Sequence, residues 1–380
     1  MNKKILKKLN LCQKFILILN IFLLFVNIGF QRRIILKNLN TNLFKVSDYF
    51  IMNLNAKEYK DISKYITNKY NILKQPKNLI FKKEIKIKCI GLFNKSNHIN
   101  WLKSKLDDEF ILTFDEDDPD YLIYNVFTQE DIEPKYKTAI KIAIYTENVM
   151  PDLNLADYSI GHYHIIYLDR YFKYSVFLWT NFIDIDKKRE EILKNPIRKK
   201  FCAAVISNCD TEFRLDFISK LNEYKKVDMG GKCQNNINES VTNKSEFLSN
   251  YKFSIAMENS RGDGYLSEKI VQSFRAGTIP IYYGDYLVDE FINPKTYILI
   301  KGDKDIDKKI EYIKKIDNDN KLYMEIMKEK PIIDNKLIEK IDKKEIIEFL
   351  YNIFSQDKNK AYRRDNNFYD FNCALDCNRK

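Results

Sequence analysis

From residue 86 onward, short apolar runs recur at helix-length intervals, and this alternation limits the possible folds more than any other feature of the chain. KIKCIGLF (86–93) runs into a glycine turn, while PDYLIYNVF (119–127) and KTAIKIAIYTEN (137–148) end in polar residues. Short apolar runs bounded by turn residues read as strands covered on both faces, and helix-length spacers between them favour parallel pairing. The expectation is an α/β sheet with its functional groups at the carboxyl ends of the strands.

A second series begins near residue 200. KFCAAVISN (200–208) reads as a strand, EFRLDFISKLNEY (212–224) as an amphipathic helix, and KVDMGGK (226–232) as a strand and glycine turn. SEFLSNYK (245–252) reads as helical and FSIAMEN (253–259) as a strand. LSEKIVQSFRAG (266–277) is a helix with Leu266, Ile270, Val271 and Phe274 on one face and Gly277 as its stop, and TIPIYYGD closes the unit. Two such units predict two Rossmann-like domains facing a central cleft, at 85–195 and 196–355. The second range includes a stripe of Ile306, Ile310, Ile313 and Ile316 and the run KKEIIEFLYNIF (343–354), and a polar tail fills 356–380.

With 380 residues, 45% of them hydrophobic, the chain can fill two cores and is not a disordered one. The net charge of +11 comes from 64 basic and 53 acidic residues scattered in mixed runs, as on a solvated surface. No basic helix with interleaved aromatics stands out, so nucleic acid is not an expected partner. Seven cysteines show no repeated CxxC spacing, and neither a disulfide framework nor a zinc module is legible; Cys373 and Cys377 either pair or are two tail thiols. His162 and His164 alternate in HYHIIY and read as ring partners at a sheet surface rather than metal ligands.

At the amino terminus, FILILNIFLLFVNIGF (15–30) follows five lysines and precedes Arg32 and Arg33, with no acidic residue before Asp48. No small-residue cleavage site follows it, so residues 1–40 read as an uncleaved single-pass membrane anchor and 41–84 as a stem. A buried or interfacial helix is the alternative, and the side of the membrane occupied by the bulk of the chain stays open.

ENSRGDGYLSEKI (258–270) carries the most chemistry. A strand delivers Glu258 and Asn259 to its carboxyl end, and a glycine turn then lets backbone approach a ligand closely. A helix amino terminus follows, with Tyr265 and Lys269 beside it, and such a terminus favours a diphosphate. Glu268 is suited to accept hydrogen bonds from a ribose diol; the plainer reading is a dipole partner, with Lys269 a solvated helix residue. DEDD (115–118) contains an Asp-x-Asp that could hold a metal-bound diphosphate, but it precedes a strand rather than following one and reads as a solvated loop.

FSIAMENSRGDGYLSEKIVQSFRAGTIPIYYGD closely resembles the signature of the α-1,3/1,4-fucosyltransferases, glycosyltransferase family 10, with Ser267 where threonine is usual. DPDYLIYNVF, IYTEN, NLADYSIGH and DRYFKY resemble the family's amino-terminal domain. FCAAVISN, Arg214, the Gly230-Gly231 turn and FLSNYKFSIAMENS resemble its carboxyl-terminal domain. The resemblance implies a GT-B architecture, with 85–195 as the acceptor domain and 196–355 as the donor domain. It implies a metal-independent, inverting transfer of L-fucose from GDP-β-L-fucose to O3 (or O4) of N-acetylglucosamine or glucose in a β-linked glycan, with no cofactor.

By the same resemblance Glu147 of IYTEN is the general base, although the glycine that some members carry between Thr and Glu is missing here. Arg214 and Lys269 are the cations on the leaving GDP, Tyr265 donates to its phosphates, Glu268 holds the ribose, and Glu258 and Asn259 line the donor pocket. The location implied is a membrane, of Golgi type in a eukaryote. Two alternatives stand beside this reading: a GT-B enzyme using another nucleotide sugar, and a catalytically silent membrane protein that binds a glycan or nucleotide.

Overall fold

The computed structural model describes residues 82–364 apart from 92–94, 115–116, 129–135, 168, 176–177, 179–184, 195–199, 263 and 286. The first sheet holds β1 (Lys83–Ile90), β2 (Phe110–Phe114), β3 (Tyr121–Asn125), β4 (Ile140–Ile144), β5 (Tyr158–Gly161) and β6 (Tyr171–Lys173), with α1 (Lys95–Leu106) between β1 and β2. The strands run in the order β2-β1-β3-β4-β5-β6, and every neighbouring pair is parallel. β3 and β4 are buried along their whole length, the pattern of parallel strands covered on both faces. β1 begins at Lys83, just inside the segment read as stem.

After α2 (Ile185–Leu193), the second sheet is built from β7 (Lys200–Ala204), β8 (Val227–Met229), β9 (Tyr251–Met257), β10 (Ile279–Tyr283) and β11 (Ile298–Leu299). Its order is β11-β10-β9-β7-β8, again all parallel. Between these strands lie α3 (Glu212–Asn222), α4 (Lys244–Leu248) and α5 (Glu268–Arg275), followed by α6 (Ile306–Asn318) and α7 (Asn320–Lys328). The Ile306, Ile310, Ile313 and Ile316 stripe packs into the core of this sheet with Phe217, Phe253 and Ile281. The strand order reverses between β1 and β3 in one sheet and between β7 and β9 in the other. Such switch points open crevices at the carboxyl ends of the strands, where ligands bind in open α/β sheets.

The carboxyl-terminal helices depart from the sequence reading, which assigned everything to residue 355 to the second domain and called 356–380 a polar tail. After α8 (Asn335–Lys340), α9 (Ile346–Ser355) packs on the first sheet. Phe354 lies 4.7 Å from Tyr121 between ring centroids, Tyr351 lies 5.5 Å from Phe110, and Phe349 lies 5.2 Å from Phe172. Beyond α10 (Lys358–Ala361), the backbone N–H groups of Arg363 and Arg364 donate to Asp157 Oδ1 at 2.6 and 3.0 Å. The Arg364 guanidinium pairs with the same buried carboxylate and reaches Ala139 O and Lys137 O. An amphipathic stripe shows that a helix covers something; it does not say which sheet.

No helix among the described residues is long and apolar enough to cross a membrane. The anchor of 1–40, nearly all of the stem, and Cys373 and Cys377 lie outside the described residues.

Candidate active site

β9 ends at Met257 and delivers Glu258, fully buried, to the floor of the cleft. Its Oε1 accepts from Ser267 N at 3.0 Å, and its Oε2 accepts from the Ser267 hydroxyl and from Lys269 Nζ, both at 2.7 Å. Ser267 is also the N-cap of α5, its hydroxyl oxygen facing Lys269 N at 3.4 Å. Burial lifts the Glu258 pKa above the usual carboxylate range. Burial alone would lower that of Lys269, but the Glu258 carboxylate outweighs it and raises the value, so the ammonium keeps its proton. The expected pocket-lining role of Glu258 is therefore corrected. A wholly covered carboxylate with both oxygens engaged works from beneath, fixing Lys269 and the start of the helix. Lys269 retains 23% side-chain exposure, enough to present its charge to the cleft.

Arg214 sits in the first turn of α3 and is buried rather than exposed on the helix surface. Its guanidinium donates to Asn208 O (2.6 Å), Asn259 Oδ1 (2.9 Å) and Met257 O (3.3 Å), just beyond β7 and at the end of β9. That is the switch point of the second sheet. Asn259 is exposed and acts as a bracket for Arg214, while its carbonyl accepts from the Thr211 hydroxyl at 3.1 Å. Glu268, half-buried at the start of α5, lies within electrostatic reach of Lys244 and Lys269.

Across the cleft, Glu147 follows β4 and is exposed. Tyr265, buried, donates its hydroxyl to Glu147 Oε2 at 3.2 Å and rests its ring on His162 with centroids 4.7 Å apart. Burial first, then the Glu258 and Glu147 carboxylates, pushes the phenol far above its ordinary pKa, so it stays a donor. Asn148 ties the two sides together. Its Nδ2 donates to Ser260 Oγ (2.8 Å) and Arg261 O (3.0 Å), and its Oδ1 accepts from the Tyr163 hydroxyl at 2.6 Å. The glycines of the turn are needed for this approach. A Cβ on Gly262 would stand 2.0 Å from Asn148 Oδ1, and one on Gly264, whose φ is +89°, would stand 2.0 Å from His162 O.

Sequence reasoning missed Asn148 and the disulfide, gave Ser267 no role of its own, and read His162 as a ring partner but at a sheet surface. HYHIIY is not a strand, since β5 ends at Gly161, and both histidines are buried rather than at a sheet surface. Burial pushes the His162 pKa down to about 3, leaving a neutral ring beneath Tyr265. Cys209 and Cys233 form a disulfide, with Cα atoms 5.3 Å apart, that joins the loop after β7 to the loop after β8. Cys209 adjoins Asn208, the carbonyl that holds Arg214. Among the described residues no group of three or more His, Cys, Asp or Glu side chains is placed to hold a metal. Asp117 and Asp118 are exposed ahead of β3, at the opposite edge of the sheet from the cleft.

Two doubly wound parallel sheets facing one cleft, with a basic helix start on the second, make this a GT-B-like α/β fold. Residues 195–359 match the family model "Glycosyltransferase family 10 (fucosyltransferase) C-term", and residues 87–180 match "Alpha-(1,3)-fucosyltransferase FucT N-terminal domain". The chain belongs to glycosyltransferase family 10, the fucosyltransferases. It is 29% identical over 259 residues to the alpha-(1,3)-fucosyltransferase FucT of Helicobacter pylori, covering 58% of this chain and 54% of the relative. It is 32% identical over 148 residues to GDP-fucose protein O-fucosyltransferase 3 of Xenopus tropicalis, covering 35% and 31%. The chain thus spans about half the length, or less, of these curated relatives. A crystal structure of an α1,3-fucosyltransferase superposes with a TM-score of 0.62 at 23% identity, over 76% of this chain and 95% of the other. The form with GDP-fucose gives 0.55 at 24%, over 69% and 86%.

Proposed function

We propose that the protein is an inverting fucosyltransferase that moves L-fucose from GDP-β-L-fucose to O3 or O4 of N-acetylglucosamine or glucose in a β-linked glycan. The observation that carries this reading is the Tyr265–Glu147 hydrogen bond, which puts a solvent-facing carboxylate one side chain away from the cationic start of α5. Glu147 takes the proton of the acceptor hydroxyl as the fucosyl carbon becomes oxocarbenium-like, a role worth about 10² to 10⁴ in rate. GDP leaves on the opposite side, and its β-phosphate gains charge as the bond breaks. Lys269 and Arg214 meet that charge more strongly in the transition state than in the ground state. Attack from the Glu147 side with departure toward α5 inverts the anomeric centre.

Lys269 and Arg214 take the place of a divalent ion in this reading, and transfer is expected to survive EDTA. Glu268 holds the ribose. Residues 1–40 anchor the chain in a membrane as a single pass, a reading supported by their apolar run flanked with lysine and arginine. The test of the activity is GDP release by the full chain from GDP-fucose with N-acetyllactosamine, lacto-N-biose or lactose. Acceptor-dependent release with GDP-fucose alone among GDP- and UDP-sugars establishes it. Preference for another donor overturns it, and GDP binding without turnover leaves a silent binding protein.

A further inference from the structure

Asp285 follows β10 and is buried, a carboxylate that the transfer chemistry proposed above does not use. Its contacts lead to the turn that carries Tyr265. Asp285 Oδ1 accepts from Leu287 N at 2.9 Å, and the carboxylate also accepts from the N–H of Gly264. Its own backbone N–H donates to the Tyr282 hydroxyl at 3.0 Å, and that hydroxyl faces Tyr265 O at 3.5 Å. Burial raises the Asp285 pKa, and the N–H groups of Gly264 and Leu287 oppose the rise.

Gly264 is thus gripped at both of its polar groups. Ser175, buried just past β6, donates its hydroxyl to Gly264 O at 3.2 Å, while Asp285 takes the N–H. A glycine at positive φ has no side chain to fix its own conformation, so bonds from outside must set the direction in which the chain leaves it. A buried N–H without an acceptor is costly, which makes the Asp285 carboxylate a firm constraint on that direction. Tyr265 is the next residue, and its hydroxyl donates to Glu147 Oε2 at 3.2 Å.

We propose that Asp285 is a positioning residue for the transfer: by holding Gly264 it aims the Tyr265 hydroxyl at the Glu147 carboxylate. This role rests on the fucosyl-transfer reading and extends it to a residue outside the donor-binding set. One glycine and one tyrosine separate Asp285 from the base. A displacement of about 1 Å at a reacting group can cost about 10²-fold in rate, so a loosened tether acts on turnover rather than on the binding of either substrate.

The experiment uses the full chain and compares Asp285→Asn in two backgrounds, wild type and Tyr265→Phe, by steady-state transfer from GDP-fucose to N-acetyllactosamine. The amide keeps the shape of the side chain but leaves one acceptor oxygen where there were two. In the wild-type background kcat is expected to fall about tenfold, with both KM values within about twofold. In the Tyr265→Phe background, where the hydroxyl is gone, the same substitution should change kcat by less than about twofold. Equal losses in the two backgrounds, a loss confined to KM, or no loss at all overturns the proposal. Asp285→Ser, smaller and still able to accept from Leu287 N, carries the same expectation should the amide variant fail to fold. Hydrogen exchange at the Gly264 amide, which Asp285→Asn should speed about tenfold, reads the tether without turnover. A wild-type chain that transfers nothing from GDP-fucose sinks the transfer reading; faster exchange then still supports the tether, and unchanged exchange overturns it as well.

Discussion

Tyr265 and Glu147 lie 118 positions apart in the chain and on loops of different sheets, yet the Tyr265 hydroxyl donates to Glu147 Oε2 at 3.2 Å. The base of the proposed reaction is thereby joined to the helix that receives the leaving group. The hydrogen bond is weak enough to exchange for one to a substrate oxygen, and it holds the carboxylate in place until then.

Replacing the base separates chemistry from binding. Glu147→Gln keeps the shape and the Tyr265 contact but cannot take a proton. Transfer is expected to fall by about 10² to 10⁴ while GDP affinity stays within about twofold. Calorimetric GDP binding beside initial rates checks this, and equal loss of both would mean that Glu147 is structural.

The Glu258–Lys269 pair predicts an asymmetry between single and double variants. Lys269→Met leaves a buried, uncompensated carboxylate and should cost about 3–5 kcal/mol of stability together with GDP affinity. Adding Glu258→Gln removes the stranded charge, so urea midpoints recover while GDP binding does not. Recovery of both would remove Lys269 from the phosphate site.

Acid should loosen the cleft at a second place. Lys173 Nζ, at the end of β6, lies 2.8 Å from Glu290 Oε2 in the short turn Val288–Glu290 after β10, with His164 Nε2 at 3.8 Å. Burial would raise the Glu290 pKa, but His164 and Lys173 outweigh it and hold the value down to about 2, against an ordinary 4.5. A depressed folded-state pKa gives stability that is fully present above the unfolded value and lost as pH falls through the folded one. Wild-type stability should therefore decline from about pH 4.5 toward about pH 2 more steeply than that of Glu290→Gln. Urea midpoints measured across that window test it, and parallel curves would refute the pairing.

Reduction should reach the donor site through Asn208. Opening the Cys209–Cys233 disulfide, which closes a loop with a sequence separation of 24, should cost about 3 kcal/mol. It also frees the backbone that orients Arg214. The Cys209→Ser, Cys233→Ser double variant is expected to melt earlier and to bind GDP more weakly, while Glu147-dependent steps at saturating donor are spared. Unchanged GDP affinity would confine the disulfide to stability.

Much of the fold was legible because parallel strands write themselves as uninterrupted apolar runs, as in YLIYN and IKIAI, and because Gly277 marks the end of α5. β5 and β6 were not, since four and three residues are too few to show a period. At the site, the family signature pointed to Glu147, Tyr265, Glu268 and Lys269, and the structure puts Glu147 against Tyr265. The role of Glu258 was not legible, because a residue at a strand end can face a ligand or turn under the next helix with the same sequence. Here the N-cap hydroxyl of Ser267, nine residues on, draws it under. Asn148 was hidden for a related reason: its partners, Ser260 and Arg261, are 112 and 113 residues away.

The return of α9 and Arg364 to the first sheet also sets an order of assembly. Synthesis releases the first sheet early, but the face that Phe349, Tyr351 and Phe354 cover stays bare until the last helices emerge. The second sheet, with α6 and α7 already in hand, completes its core first. A chain cut short after residue 340 would bare Phe110, Tyr121 and Phe172 of the first sheet and open the cluster they share with Ile270 and Phe274 of α5, while the face of the second sheet under α6 and α7 keeps its cover.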